Sequence, residues 1–260
     1  MKEFKYISSK ENSLIKQVIG LQTSAKFRRE NGLFVIEGLR ICSDATDNGI
    51  RFDKLIVSAD AKEKHPDEIA TFSENANECY VLSASLFKKI SDTSTPQGII
   101  AVAKIPENTD FKIDCSGKYI ALENLADPSN LGAVSRTAEA LGVTGIILSH
   151  NSCDPYSPKV LRASMGTVLR MPIIILDNFS NSISELGLKV YSCVVEKTAK
   201  KITEINFTGG TIVVIGNEAN GITDETKAVS DACITIPMLG KAESLNAATA
   251  AAIAMWEMLK

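Results

Sequence analysis

Short apolar runs alternate with helix-like stretches along the first hundred residues. Apolar side chains recur at helical spacing over residues 11–22, and this pattern predicts an amphipathic helix. The alternation as a whole predicts a small α/β domain over residues 1–105. The polar, aperiodic stretch 106–117 is expected to be a linker. Further helices are predicted near 39–48, 66–75 and 84–91, and strands at 33–38, 54–59, 78–83 and 98–104.

Strand and helix patterns alternate more regularly in the second half. The strands are almost wholly apolar, which is typical of a parallel sheet covered by helices on both faces. Residues 118–260 are therefore predicted to form a parallel-sheet α/β domain. The predicted strands are 118–123, 145–149, 171–176, 189–195, 211–216 and 233–237, and the helices are 129–142, 158–166, 181–187 and the Ala-rich 244–260.

The composition mainly excludes classes of protein. The 260 residues are 45% hydrophobic and 23% charged, an ordinary globular composition that excludes disordered and low-complexity chains. Without a long apolar stretch or an apolar leader segment, we expect no membrane contact and a cytoplasmic location. The six cysteines lie about 35–40 residues apart and include no CxxC pair, so no metal site is expected.

Basic residues are concentrated near the N-terminus. Residues 1–40 contain eight Lys or Arg and four Glu, whereas the whole chain carries a net charge of −3. On charge alone, a solvated helix face with mixed charges is the simpler explanation. A surface for a polyanion such as RNA is the alternative.

Polar residues are concentrated in three loops that follow predicted strands. In a parallel sheet, ligands bind beyond the carboxyl ends of the strands. The first loop contains Glu123, Asn124, Asp127 and Asn130 and is followed by Arg136 in the next helix. Taken alone, this loop is explained by Asn130 capping the helix and by a solvated Arg136.

The other two loops follow later strands. Gly216 ends an apolar strand, where backbone can approach a ligand closely, and Glu218 follows two residues later. The last loop leaves its strand at Ile236 and leads to a helix that Ser244 is expected to cap, with Asn246 in the first turn. Neither GxGxxG nor GxxxxGK[ST] is present, which argues against dinucleotide-binding and P-loop enzymes.

Together and in this order, the three loops resemble the motifs of the SpoU (TrmH-like) RNA ribose 2′-O-methyltransferases of the SPOUT superfamily. The matching stretches are DPSNLGAVSRTAEALG, IVVIGNEANGI and IPMLGKAESLNAATAAAIAMWE. FRRENGLFVIEGLRICSDA and TPQGIIAVA are similar to the substrate-binding domain that precedes the methyltransferase in many members. That domain resembles the ribosomal-protein L30e fold, an RNA-binding α/β unit.

The resemblance implies a fold, a cofactor and partners. It implies a deep trefoil knot in the 118–260 domain, one of the rare exceptions to the rule against knots. It also implies bound S-adenosylmethionine, an RNA substrate and a homodimer with the active site near the interface. The catalytic set implied by position is Arg136, Asn130, Glu218, Ser244 and Asn246, and the cofactor-binding set is Gly216, Ile236, Met238, Ser244 and Leu245.

The implied chemistry needs neither a metal nor a covalent intermediate, because the cofactor already carries an activated methyl group. A ribose 2′-hydroxyl must be aligned with that methyl and lose its proton. Since the pKa of a free arginine lies above about 12, neutral guanidine is a costly base. We interpret Arg136 as a clamp on the hydroxyl and the adjacent phosphate, with a phosphate oxygen or water assisting proton removal. Glu218 and Asn130 are expected to orient the arginine or the nucleotide.

Three alternatives remain open at this point. The N-terminal domain and the lack of long basic extensions favour ribosomal RNA, in particular 23S RNA, over transfer RNA. A methyltransferase acting on a base is disfavoured by the SLNAATA motif. A catalytically silent RNA-binding protein is disfavoured because the polar set, with Asn130, Arg136, Glu218 and Asn246, is intact.

Overall fold

The computed structural model describes residues 2–107, 111–196 and 198–260. Residues 108–110 of the predicted linker therefore lie outside the described residues, as do Met1 and Lys197. In the described part of the chain, no helix is both long and apolar enough to cross a membrane.

The chain up to residue 106 contains helices and strands in alternation, as its pattern predicts. Its strands are β1 (Phe4–Ile7), β2 (Leu33–Glu37), β3 (Phe52–Ser58), β4 (Ala76–Leu82) and β5 (Ile99–Lys104). Its helices are α1 (Ser13–Thr23), α2 (Ala25–Asn31), α3 (Leu39–Asp47), α4 (Ala59–Lys64), α5 (Pro66–Asn75) and α6 (Ala84–Ile90).

The remaining chain continues the alternation with mostly buried strands. These strands are β6 (Lys118–Leu122), β7 (Gly145–Ser149), β8 (Ile173–Leu176), β9 (Lys189–Cys193), β10 (Lys200–Lys201), β11 (Thr211–Ile215) and β12 (Ala232–Thr235). The helices are α7 (Pro128–Leu141), α8 (Pro158–Ala163), α9 (Phe179–Ser184), α10 (Asp224–Ala228) and α11 (Ala247–Met258).

The chain divides into two units, and one segment belongs to the first unit despite its place in the sequence. The first unit is Met1–Pro106 with Tyr156–Leu169, and the second is Glu107–Pro155 with Arg170–Lys260. The inserted segment includes α8, which packs on β2. Its Tyr156 ring lies 5.0 Å from that of Phe34, centroid to centroid.

The first unit is built on a mixed sheet in the order β1-β4-β3-β5-β2, in which β5 is antiparallel to both neighbours. Helix α1 presents to this sheet the apolar stripe expected from its sequence. Burial of each such apolar side chain contributes about 1.5–3 kcal/mol to the free energy of unfolding. The core on this face includes Leu14, Ile15, Val18, Leu21, Ile56, Leu82, Leu86, Phe87, Ile90, Ile100 and Val102.

The second unit is built on a sheet of seven parallel strands, in the order β10-β12-β9-β11-β6-β7-β8. All residues of β7 and β11 are buried, as expected for strands covered on both faces. The two sheets confirm the predicted α/β class with a parallel C-terminal sheet. The passage of the chain through a knot stays a prediction.

Several short elements escape the sequence patterns. β1, α2, α4, β10 and α10 are two to seven residues long. Such lengths hold at most two turns or two alternations, so no hydrophobic period can be recognised.

Two predicted helix starts are also wrong in detail. Helix α7 is capped by Asp127, which accepts a hydrogen bond from the Ser129 N–H, and Asn130 lies inside the helix. Helix α11 begins after Asn246, whose side chain is its N-cap, so Ser244 does not cap it. A cap must accept from an N–H two or three residues later, and Asp127 and Asn246 are placed to do so.

Candidate functional site at the carboxyl ends of the parallel strands

Three residues of the predicted catalytic set, one from each loop, form a single chain of hydrogen bonds. Asn130 Nδ2 donates to Glu218 Oε1 at 2.8 Å. Asn246 Nδ2 donates to Asn130 Oδ1 at 3.0 Å. Asn246 Oδ1 in turn accepts from the first N–H groups of α11. The three loops therefore meet at the edge of the sheet where the sequence pattern placed them.

The Glu218 carboxylate is held by a set of donors that favours its charged form. Burial by itself would raise its pKa. The hydrogen bond from Asn130 and those from the backbone N–H groups of Ala126, at 3.2 Å, and Asp127, at 3.3 Å, lower it. The donors outweigh burial, so the pKa of Glu218 lies below the usual glutamate value. Glu218 is an anion that ties its own loop to the start of α7.

Behind this chain of hydrogen bonds lies a second carboxylate, Glu123, which is only 4% exposed. Its Oε1 accepts from the hydroxyls of Thr223 and Thr226, both at 2.7 Å. Its Oε2 accepts from the Thr223 N–H at 2.9 Å. Glu123 thus ties the end of β6 to the segment that follows the Glu218 loop. The sequence placed Glu123 in the first loop without this role, because its partners lie 100 residues away.

Asn124 adopts the left-handed backbone conformation, with φ of 54°. Its N–H donates to Ser149 Oγ at 2.8 Å, and Ser149 Oγ donates to Asn124 Oδ1 at 3.1 Å. Its carbonyl accepts from Asn217 Nδ2 at 2.7 Å. Non-glycine residues in this conformation are often asparagine and are concentrated at functional loops. Ser149, at the end of β7, is a site residue that the sequence analysis missed; its place at a strand end was the available signal.

Position 216 requires a glycine, because two stretches of backbone approach each other closely within the second loop. A Cβ at this position would lie 2.2 Å from the carbonyl carbon of Gly221 and 2.4 Å from the nitrogen of Ile222. Asn217 and Gly221 exchange two backbone hydrogen bonds, of 3.0 and 2.9 Å, which close the turn. The close approach that the structure shows at Gly216 is made by the chain's own backbone. The predicted approach to a ligand stays a prediction.

Residues 237–245 form an irregular segment between β12 and α11. Within the described part of the chain, no hydrogen bond engages their backbone or side chains. Ser244 is exposed, Met238 and Leu245 are half-buried, and Leu239 is 99% exposed. The segment therefore combines apolar side chains with backbone groups that are free to bond a ligand.

Arg136 does not belong to this chain of hydrogen bonds. It lies on α7, exposed to solvent, and no hydrogen bond or ion pair engages its side chain in the part of the chain that the structure describes. The structure thus brings together Asn130, Glu218 and Asn246. Among the described residues, the side chains of Arg136 and Ser244 form no hydrogen bond to these three.

Two family profiles match this chain. The SpoU rRNA Methylase family matches residues 117–256. The MRM3-like substrate binding domain matches residues 12–101. The first match contains all three loops, and the second lies in the first unit.

The chain is also similar to individual proteins over nearly its whole length. It is 30% identical over 256 residues to the 23S rRNA (guanosine(2553)-2′-O)-methyltransferase RlmP of Bacillus subtilis, a match that covers 98% of this chain and 99% of the relative. It is 24% identical over 260 residues to the 23S rRNA (uridine(2479)-2′-O)-methyltransferase of Streptomyces viridochromogenes, covering 96% and 90%. The AdoMet-bound rRNA methyltransferase from Sinorhizobium meliloti matches with a TM-score of 0.85 and 26% identity, over 98% of this chain and 97% of that one.

Proposed function

Since the chain belongs to the SpoU rRNA methylase family, we propose that it transfers a methyl group from S-adenosylmethionine to a ribose 2′-hydroxyl of 23S ribosomal RNA. The hydrogen-bonded chain of Asn246, Asn130 and Glu218 carries the proposal, because it unites the three family motifs in one site. The RlmP and Streptomyces relatives, which match over 99% and 90% of their length, are both named as 23S rRNA 2′-O-methyltransferases. This favours ribosomal over transfer RNA.

The residues of the site fit S-adenosylmethionine. The free backbone groups of 237–245 and the apolar side chains beside them suit a nucleoside that is held largely through main-chain hydrogen bonds. Gly216, Ile236, Met238, Ser244 and Leu245 are proposed to hold it. When bound, the cofactor supplies a methyl group activated on a sulfonium. The protein then has to position the acceptor hydroxyl and direct its proton.

The chain of hydrogen bonds through Asn246, Asn130 and Glu218 is proposed to position the acceptor nucleotide. Glu218, kept ionised by its donors, and Asn130 present a fixed polar edge to the nucleotide. Asn246 couples that edge to the start of α11. Ser244, which is exposed, is proposed to supply a further hydroxyl. Arg136 is proposed to clamp the 2′-hydroxyl and the adjacent phosphate. A phosphate oxygen or a water accepts the proton, because a neutral guanidine is costly at pH 7.

A homodimer is proposed to complete this site. Helix α11 is apolar on almost every side, and α7, which carries Arg136, packs beside it. Trp256 of α11 is 58% exposed and Leu259, just after the helix, is 37% exposed. Apolar surface of this kind marks an interface. A second copy docking there would cover Trp256 and lie beside the exposed Arg136.

The same family membership gives each part of the chain a proposed role. Residues 1–105 are proposed to be the RNA substrate-binding domain, 106–117 the linker, and 118–260 the knotted methyltransferase domain. The profile match over 12–101 supports the first assignment. A cytoplasmic location is proposed because ribosomal RNA is the substrate.

The decisive experiment measures transfer of labelled methyl from S-adenosylmethionine to unmodified ribosomal and transfer RNA, followed by digestion to nucleosides. We expect label on a 2′-O-methyl nucleoside of 23S RNA. Arg136→Ala should abolish transfer while retaining cofactor affinity, measured by calorimetry. Arg170→Ala is the control, since Arg170 is paired with Glu139 at 2.5 Å outside the three loops.

Each other outcome has a defined meaning. Label on a base would assign base methylation, and label on transfer RNA would replace the proposed substrate. Cofactor binding without transfer to free RNA or to ribosomal subunits would identify a catalytically silent RNA-binding protein. Near-normal turnover by Arg136→Ala would rule out the clamp.

A further inference from the structure

The first unit contains a cleft of about 810 Å³ that lies outside the three loops. Side chains of β1, β3 and β4 line it, together with the first turns of α1 and with α2. Its volume is within the range of pockets that hold a small organic ligand or a nucleotide. Neither the fold nor the methyltransferase site accounts for it.

The lining of the cleft is cationic. Lys5, Lys16 and Lys54 line it, and the lining includes no Asp or Glu among the described residues. The carboxylates that pair with these lysines lie outside the lining. The Lys5–Glu78 pair, at 2.7 Å, and the Lys16–Glu11 pair, at 3.5 Å, are solvent-exposed. Since exposed pairs are weak, Lys5 and Lys16 are available to a phosphate.

Amide and aromatic groups complete the lining. Gln17 is half-buried, and no hydrogen bond engages its side-chain amide in the described part of the chain. Asn31 uses its Nδ2 on the Phe27 carbonyl at 2.8 Å, which leaves its Oδ1 as an acceptor. Tyr6, at the rim, is 76% exposed. Amide groups match the edges of a base, and an exposed aromatic ring offers a stacking surface.

We propose that this cleft binds an unpaired segment of the RNA substrate. Lys5 and Lys16 contact phosphates, Tyr6 stacks on a base, and Gln17 and Asn31 bond its edge. The proposal rests on the proposed function, since it names the surface by which the unit matched by a substrate-binding profile holds RNA.

The test uses the full chain and a fluorescent unpaired RNA of about ten nucleotides. The variants are Lys16→Glu and Tyr6→Ala, both at exposed positions. Lys26→Glu is the matched control, because Lys26 is also exposed, forms a weak pair with Glu30 at 3.8 Å, and does not line the cleft. Dissociation constants are measured by anisotropy across a range of salt concentrations.

We expect Lys16→Glu to weaken binding several-fold and to lower the slope of log K against log salt by about 1. Tyr6→Ala should weaken binding about tenfold, and Lys26→Glu should change it less than about twofold. If Lys16→Glu and Lys26→Glu weaken RNA binding equally, the effect comes from the overall charge of the protein and not from the cleft, and the proposal is wrong. Displacement of the RNA by an equal concentration of uridine 5′-monophosphate would also overturn it, since the cleft would then be a free-nucleotide site.

The two proposals fail separately. If the wild-type protein methylates ribosomal RNA and both cleft variants keep full RNA affinity, the cleft proposal is wrong and the proposed function stands. If the variants lose affinity as expected but the wild-type protein methylates no RNA, the cleft assignment stands and the proposed function is wrong.

Discussion

Asn130 Nδ2 donates a hydrogen bond of 2.8 Å to Glu218 Oε1 across 88 positions of sequence. The register of β6 against β11, which pairs Leu122 with Ile215, places the two loops side by side. The hydrogen bond from the Asn130 amide offsets part of the desolvation penalty of the Glu218 carboxylate at this edge of the sheet. Asn130 therefore controls both the ionisation of Glu218 and the position of its loop.

Asn130→Ala is expected to raise the pKa of Glu218. Burial already raises this pKa, and the Asn130 side chain is the leading contribution that lowers it. A carboxyl with a lowered native pKa stabilises the fold above its unfolded pKa, and this stabilisation disappears as pH falls through the native value. The variant should lose part of it at neutral pH. Carbon-13 NMR titration of Glu218 would show the shift; an unchanged midpoint would contradict the assigned contact.

Thr226→Val is expected to lower the free energy of unfolding by about 2 kcal/mol, because it removes a buried hydroxyl that donates to the Glu123 carboxylate. The control is Thr137→Val, which alters a half-buried threonine on α7 whose hydroxyl donates a solvent-exposed hydrogen bond to the Ala133 carbonyl, and which should change stability by less than about 0.5 kcal/mol. Urea denaturation measures both. If Glu123→Gln and Thr226→Val show additive losses in the double variant, the two side chains are not coupled.

Asn124→Gly is expected to be more stable than Asn124→Ala, the reverse of the usual order. Both variants lose the hydrogen bond to Ser149, but only alanine is strained at φ of 54°, by about 1 kcal/mol. Asn151 provides the comparison, because it does not have a positive φ. There the alanine variant should be the more stable. Thermal unfolding of the four variants shows whether glycine or alanine is the more stable at each of the two positions.

Gly216→Ala is expected to abolish cofactor binding and to destabilise the protein more than Gly221→Ala. The new Cβ at Gly216 would meet the Gly221 carbonyl carbon at 2.2 Å, and backbone cannot yield as a flexible side chain can. At Gly221 nothing lies within 4 Å, so alanine costs only the strain of φ 68°, about 1 kcal/mol. Calorimetric titration with S-adenosylmethionine tests the pair. Affinity within twofold of wild type in Gly216→Ala would refute the close approach.

The elements that the sequence predicts well have long or strongly apolar patterns. β11 is a continuous apolar run, and α7 has Pro128 at its start and Gly142 at its end. The short α2 is different. It follows α1 directly at Ser24, whose backbone leaves the helical conformation and whose side chain caps α2. Such a break depends on one residue's dihedral angles and leaves no periodic trace.

The sequence by itself determined the family and the α/β class with its parallel C-terminal sheet. It also placed Asn130, Glu218 and Asn246 in recognisable motifs after apolar strands, and their catalytic roles stay predictions. Only the tertiary structure decided which side chains touch. It joined Asn130, Glu218 and Asn246 by hydrogen bonds that do not include Arg136, and it gave Glu123 its partners, Thr223 and Thr226. The physical reason is that hydrogen bonding is short-ranged, whereas these partners are about 100 positions apart. Strand register and loop geometry bring them together, and local sequence patterns encode neither.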